Sequence, residues 1–277
     1  MIFKSLKEKC EYYRSLTDYR LTPNSYILIM IDGKNFSSLI KNNFEKPFDD
    51  WFIETMNKTA EHLCKNIQNC VGAYVQSDEI SLLIKDDNMT CMPFDGRLCK
   101  LQSVIPSIAT SFFTKQIIQY FIKKTYNEDE TIKSFITYEE ITDLFLGMKD
   151  YVFDCKAWAV PNENDAIAWF LYRQNDCIRN SKQQFCQTYI PHKMLVGLDT
   201  DKQVKLCKEQ TGNNWNEITD DKKYGRFLSK HLKSFKNEKG EDYCRRIWLI
   251  ESFQLTETDM RDYLKYKWLR NNGNDAD

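Results

Sequence analysis

The chain has 277 residues, with 39 Lys and Arg against 40 Asp and Glu for a net charge of −1, and is 42% hydrophobic and 14% aromatic. This composition excludes a mostly disordered chain and leaves enough apolar mass for one large core. Its apolar runs are too short to cross a bilayer, because Tyr26–Ile31 stops at Asp32 and Val71–Ile84 is cut by Ser77–Glu79.

In chain order, the N-terminal MIFKSLKEKCEYYR is charged where an export leader needs an apolar stretch, so a soluble cytoplasmic protein is expected. Ser25–Ile31 (SYILIMI) predicts a buried strand ending at Asp32-Gly33. Phe48–Asn66 has helical apolar spacing through Trp51, Phe52, Met56, Ala60 and Leu63, with Pro47 at its entry. Val71–Gln76 and Ile80–Ile84 predict two strands joined through Ser77-Asp78-Glu79. Leu98–Tyr120 predicts a helix with Pro106 as a kink position. Tyr151–Val160 predicts a strand closed by Pro161, and Asn164–Tyr189 a long helix. The order β-α-β-β-α-β is that of a ferredoxin-like α+β fold, an antiparallel sheet with both helices on one face. Residues 127–149 interrupt it as a peripheral insertion with a small helix around Tyr138–Leu146, and the terminal NNGNDAD is expected to fray.

Ten cysteines at 10, 64, 70, 91, 99, 155, 177, 186, 207 and 244 form no C-x-x-C, and only His62, His192 and His231 accompany them. Structural zinc needs ligands paired two to four residues apart, so these read as reduced, partly buried thiols. Lys222, Lys223, Arg226, Lys230, Lys233, Lys236, Lys239, Arg245 and Arg246 crowd one segment. Such a patch suits a nucleic acid, although charge runs also serve as solvated faces.

The chemistry concentrates at Asp32, ending the first strand, and Asp78, between the second and third. In a ferredoxin-like sheet these strands are central neighbours, so both carboxylates emerge at one edge. Carboxylates within about 4–6 Å repel unless a cation lies between them, and hard oxygen donors favour Mg²⁺. Gly33 leaves room for a close backbone approach. Glu79 is either a third ligand or a solvent-facing side chain. Asp-Gly is also a common tight turn and Ser-Asp-Glu an ordinary hairpin tip.

At these residues the sequence resembles the tRNA-histidine guanylyltransferase family. IDGKNF (Ile31–Phe36), FEKPFDD (Phe44–Asp50), YVQSDEISLLI (Tyr74–Ile84), FDGRLCKLQS (Phe94–Ser103) and FDCKAWAVPNENDAIAWFLYRQNDCIRNS (Phe153–Ser181) come in the family's order, and GNNWNEITDDKKYGR (Gly212–Arg226) resembles its C-terminal part. The resemblance implies a polymerase-type palm over 1–161 and a mostly helical tRNA-binding part over 162–277, continuous with the palm. It implies nucleotide addition in the 3′-to-5′ direction: ATP or GTP activates a tRNA 5′-monophosphate, and the 3′-hydroxyl of an incoming nucleoside triphosphate then attacks. By position, Asp32 and Asp78 are the catalytic residues, holding two Mg²⁺ ions with the Gly33 carbonyl. Asp32, Gly33, Lys34, Asn35, Phe36 (through its amide, its ring being core), Ser37, Ser77 and Asp78 contact nucleotide, while Lys46, Arg97 and Lys100 neutralise triphosphate. Arg173, Gln174 and Asp176 match the family on the long helix; Arg173, Lys202, Lys222, Lys223 and Arg226 are the implied tRNA contacts. The resemblance also implies a homo-oligomer, a tetramer.

The sequence departs from the family's pattern at Met30, where many members carry arginine. It departs again at Ile178 and Ser181, where eukaryotic members serving tRNA-His carry a His-x-x-Asn stretch. These departures point to the guanylyltransferase-like branch that repairs truncated tRNA 5′ ends with any templated nucleotide, over obligatory guanylate addition. Two other classes compete: a palm-type nucleotidyl cyclase, and a catalytically inactive RNA-binding ferredoxin-like module. The strands ending in Asp and Ser-Asp-Glu rather than in base-stacking aromatics count against the latter.

Overall fold

The structure is a computed structural model that describes residues 3–85, 92–125, 149–236 and 239–269, with isolated residues between 139 and 147. Its elements in order are α1 (Leu6–Ser15), β1 (Tyr26–Gly33), α2 (Phe36–Asn43), α3 (Asp50–Asn66), β2 (Cys70–Gln76), β3 (Glu79–Lys85), α4 (Leu98–Thr125), β4 (Phe153–Val160) and α5 (Glu163–Tyr189). There follow α6 (His192–Leu195), α7 (Thr200–Thr211), α8 (Asp220–Tyr224), β5 (Arg226–Lys236), β6 (Asp242–Glu251), α9 (Glu257–Asp262) and a wider helical turn over Tyr263–Leu269.

One six-stranded sheet runs β4-β1-β3-β2-β5-β6, every pair antiparallel. Its first four strands have the expected ferredoxin-like order, with β1 and β3 central. β1 is apolar from Tyr26 to Ile31 because both its faces are covered there. Its odd residues Ile27, Ile29 and Ile31 enter a core with α3 and α4, while Leu28 joins Ala166, Ile167 and Phe170 of α5 on the other face. Side-chain alternation along a strand thus assigns one hydrophobic run to two cores.

The helices follow from caps and spacing. Asp49 caps α3 by accepting the Phe52 amide at 2.8 Å, and Phe52, Met56, Ala60 and Leu63 turn inward together. Leu101, Ile105, Ala109, Phe113 and Ile117, four residues apart, bury one side of α4, which continues through Pro106 to Thr125.

Two features differ from the sequence expectations. α2 is an eight-residue helix (FSSLIKNN), too short and polar to show a periodic stripe, and only Phe36 and Leu39 anchor it. The part beyond residue 161 holds more helix than strand, as expected, but also contributes the β5–β6 hairpin to the sheet, where Tyr74 faces Phe227 and Gly72 faces Ser229. Only the first residues of β5 are buried; its outer half and most of β6 are exposed, so their alternation is diluted by charge. Nearly all of the 127–149 insertion, including the helix expected around Tyr138–Leu146, and the terminal NNGNDAD lie outside the described residues.

Every described cysteine is a free thiol; Cys64, Cys70, Cys177, Cys186 and Cys207 are buried, whereas Cys10, Cys99 and Cys244 are exposed. Burial pushes the Cys177 thiol up to about 11 and that of Cys186 to about 12, so these behave as small hydrophobes. No described helix is long and apolar enough to cross a membrane.

Candidate active site

Asp32 lies next to the end of β1, opposite Glu79 on β3 and Asp154 on β4. The turn between β2 and β3 places Ser77 at a φ of 44° and brings the Asp78 carbonyl to accept the Gly33 amide at 3.2 Å. Asp32, Ser77 and Asp78 therefore meet at one edge of the sheet and line a common cavity of about 350 Å³. Met30, Glu79 and Arg173 also line it.

The electrostatics of this edge are strained. Burial first, then the charges of Asp78, Glu79 and Asp154, push the Asp32 carboxyl up to about 6. Burial also raises that of Asp78. Like charges held this close without compensation favour a cation. Among the described residues no three His, Cys, Asp or Glu side chains form a ready-made metal cage. Two carboxylates are hard oxygen donors of the kind Mg²⁺ takes, since it keeps much of its water and binds through one or two carboxylates plus substrate phosphates. The donor set therefore fits hard divalent ions bound together with a nucleotide. Asp154 was not singled out in the sequence; its strand was recognised, but only the β1–β4 register sets it across from Asp32.

Gly33 has a packing reason of its own. A Cβ there would stand 2.4 Å from Cγ of Phe36, whose fully buried ring packs against Phe113 and Phe153 at 4.9 Å. The Phe36 ring is core, as expected. Asn35 adopts the left-handed conformation (φ 63°) at the start of α2, while Lys34 and Ser37 are exposed. The first amides of α2 leave the Asp32–Ser37 turn beside the carboxylates, the arrangement that suits phosphate.

The outlying cations are placed differently. Lys46, Arg97 and Lys100 are not among the residues lining the Asp32–Asp78 cavity. Exposed Lys46 borders a second small cavity with Asn180 and Gln184, and Arg97 pairs with Asp18 at 3.1 Å. Two of the implied tRNA contacts are buried side chains that line the Asp32–Asp78 cavity. Arg173 is 8% exposed and engages Glu79 in a two-pronged pair, and Arg226 is 3% exposed with its Nε on Asn57 at 2.9 Å. Lys222 pairs with Asp50 at 2.6 Å, Lys223 with Asp220 at 3.0 Å, and exposed Lys202 with Asp199 at 2.8 Å. Glu79, expected as a metal ligand or a solvent-facing residue, is neither free nor exposed.

Exposed cations gather instead on the β5–β6 hairpin. Lys233 and Arg245 are cross-strand partners there, and Lys236 and Arg246 are exposed beside them. Phe235 and Tyr243 stack at 5.7 Å, with Lys233 over the first ring and Arg245 over the second.

A profile of the Thg1 family, tRNAHis guanylyltransferase, matches residues 7–161, more than half of the chain. The chain belongs to the tRNAHis guanylyltransferase family. A probable tRNA(His) guanylyltransferase of Dictyostelium discoideum is 31% identical over 147 residues, 48% of this chain and 56% of that protein. The Kluyveromyces lactis tRNA(His) guanylyltransferase is 27% identical over 85% of this chain and 92% of its own. A bacterial tRNA(His) guanylyltransferase-like protein, solved in complex with ATP, superposes with a TM-score of 0.74 at 24% identity, covering 94% of this chain and 97% of that one. The Saccharomyces cerevisiae enzyme does so at 0.58 and 24%, covering 78% and 90%. The palm-like fold of the guanylyltransferase family is thus shared. Of the three positions departing from the family pattern, Met30 and Ser181 line the cavity, where the Ser181 hydroxyl donates to the Lys222 carbonyl at 2.7 Å and accepts the Trp215 indole N–H at 2.9 Å, whereas Ile178 packs against the core around Phe185 and Trp215.

Proposed function

We propose that this chain is a Mg²⁺-dependent nucleotidyltransferase that adds nucleotides in the 3′-to-5′ direction to the 5′ end of tRNA. The observation that carries the reading is the convergence of Asp32 and Asp78 on one cavity at the sheet edge. Asp32 and Asp78 would hold two divalent ions, with the Gly33 carbonyl beside them. When bound, such ions supply electrostatic stabilisation of both the attacking and the leaving oxygens. The Asp32–Ser37 turn orients a triphosphate through backbone amides at the start of α2, and Ser77, which lines the cavity next to Asp78, adds a hydroxyl. Pairing with the opposite acceptor strand selects the incoming nucleotide. Ile178 and Ser181 favour repair of truncated 5′ ends over obligatory guanylate addition to tRNA-His. A homo-oligomer and a cytoplasmic location belong to the same reading.

The deciding assay compares intact tRNA-His with tRNAs lacking one 5′ nucleotide, each nucleoside triphosphate being offered separately, with ATP or GTP for activation. Extension of the truncated tRNAs by the templated nucleotide is expected; a cyclic product from GTP alone would favour the cyclase. Chelating divalent ions is expected to stop extension, and Mg²⁺ to restore it; undiminished extension in excess chelator would overturn the metal role.

The RNA-facing charge in this reading lies on β5–β6 rather than on Lys222, Lys223 and Arg226. Phosphate contacts release counterions, so Lys233→Glu and Arg245→Glu should each weaken tRNA binding and lower the log–log salt slope by about 1. An unchanged slope would remove the hairpin from the interface.

A further inference from the structure

Glu79 follows the proposed ligand Asp78 directly and stands opposite the other, Asp32, in the β1–β3 register. It is 6% exposed, so a charged carboxylate here needs a partner. The partner comes from 94 residues away, on α5. Arg173 donates Nε to one Glu79 oxygen at 2.8 Å and Nη2 to the other, and Ser81 Oγ lies 3.4 Å from the first. The same guanidinium donates to Asp176 at 3.0 Å and lies over the rings of Trp169 and Tyr172 at 5.7 and 5.2 Å. Trp169 in turn donates its indole N–H to Ser81 at 3.2 Å. Both Glu79 oxygens are therefore committed within a closed network of β3 and α5, and the planar fork of arginine is what allows both to be held at once.

We propose that Arg173 is a positioning residue that withdraws Glu79 from the cation-facing carboxylates, leaving Asp32 and Asp78 as the pair that holds the ions. This inference rests on the metal reading above. The network sets the charge of the site as well as its shape: of the adjacent acids Asp78 and Glu79, the first accepts hydrogen bonds from Ser77 and its own backbone and keeps its charge, while the second is neutralised by α5. A purely structural ion pair would tie α5 to the sheet without affecting how the cavity binds ions.

The test measures binding of Mn²⁺ to the full chain by electron paramagnetic resonance, in the presence of a non-reacting nucleoside triphosphate analogue. Asp78→Asn should raise the half-saturating Mn²⁺ concentration by roughly tenfold or more, the effect of losing one charge at contact distance. Glu79→Gln leaves the Arg173 cation unbalanced and should raise it, but by less than Asp78→Asn, because that carboxylate is spent on Arg173 and contacts no ion. Arg173→Met should lower it roughly tenfold, because a freed Glu79 adds a third negative charge, and the double variant Arg173→Met/Glu79→Gln should return it to the parent value. A double variant shifted as far as Asp78→Asn would make Glu79 a ligand and overturn the proposal, since it lacks both charges of the pair. An unchanged value for Arg173→Met would reduce the pair to packing, and also overturns it. Should Arg173→Met fail to fold because it strands the Glu79 charge, the double variant, which strands none, still decides between ligand and withdrawn residue. If Asp78→Asn itself leaves Mn²⁺ binding unaltered, the metal reading fails, an outcome distinct from either of the others.

Discussion

Replacing Asp32 or Asp78 with Ala is expected to lower the rate of nucleotide addition by at least about 10²–10³-fold, the range for loss of one preorganised electrostatic centre. Each supplies charge at the cavity that no neighbour replaces: Glu79 is engaged by Arg173, and Asp154 stands exposed on β4. Extension of a 5′-triphosphorylated truncated tRNA isolates the second step and checks this directly. Stability should move the other way. Asp32 is half-buried among Asp78, Glu79 and Asp154. In the absence of divalent ions, Asp32→Asn removes a repulsion from the folded state and is expected to raise the thermal midpoint at neutral pH. Full activity in Asp32→Ala or Asp78→Ala would refute the assigned roles, and a fall in the midpoint of metal-free Asp32→Asn would show that the repulsion is not felt.

The second large effect lies far along the chain from the carboxylates. Trp268 is fully buried, donates its indole N–H to the Leu228 carbonyl at 2.9 Å and meets Phe170 edge-on at 4.7 Å. It occupies space that only glycine leaves open on β2, since a Cβ on Gly72 would come within 2.1 Å of the indole. Trp268→Ala should cost ~3–5 kcal/mol by transfer and cavity terms, lowering the thermal midpoint by roughly 6–20 °C. Gly72→Ala should destabilise through the opposite fault, overpacking, by about 1–3 kcal/mol. Exposed Lys265, three residues before Trp268, serves as the control: Lys265→Ala should stay within about 0.5 kcal/mol. Thermal and denaturant unfolding of the three variants check this. A Trp268→Ala midpoint equal to that of Lys265→Ala would mean that the C-terminal turn does not seal the sheet.

Local signals in the sequence are legible where the apolar pattern is strong. SYILIMI is apolar at consecutive positions and ends at a charge, so both the strand and the placement of Asp32 at its end are visible without coordinates. The long helices announce themselves through apolar residues three and four apart. α2 and β5–β6 have no comparable signal: one is too short for a period, and the other is buried only at the start of β5, where it joins β2, its further apolar residues lying among charges on exposed strands.

What the linear chain determined by itself is the set of periodicities, the order of the palm elements and the two carboxylates that follow apolar strands, because each depends on residues adjacent or a few positions apart. The tertiary structure alone decided the fate of the remaining charges. Whether Arg173 meets an RNA phosphate or Glu79, whether Asp154 joins Asp32, and whether Trp268 frays or fills the space over Gly72 all depend on strand register and on helices packed from distant parts of the chain. A charged side chain has the same composition exposed or buried, and its role is set by which partner folding brings within hydrogen-bonding reach.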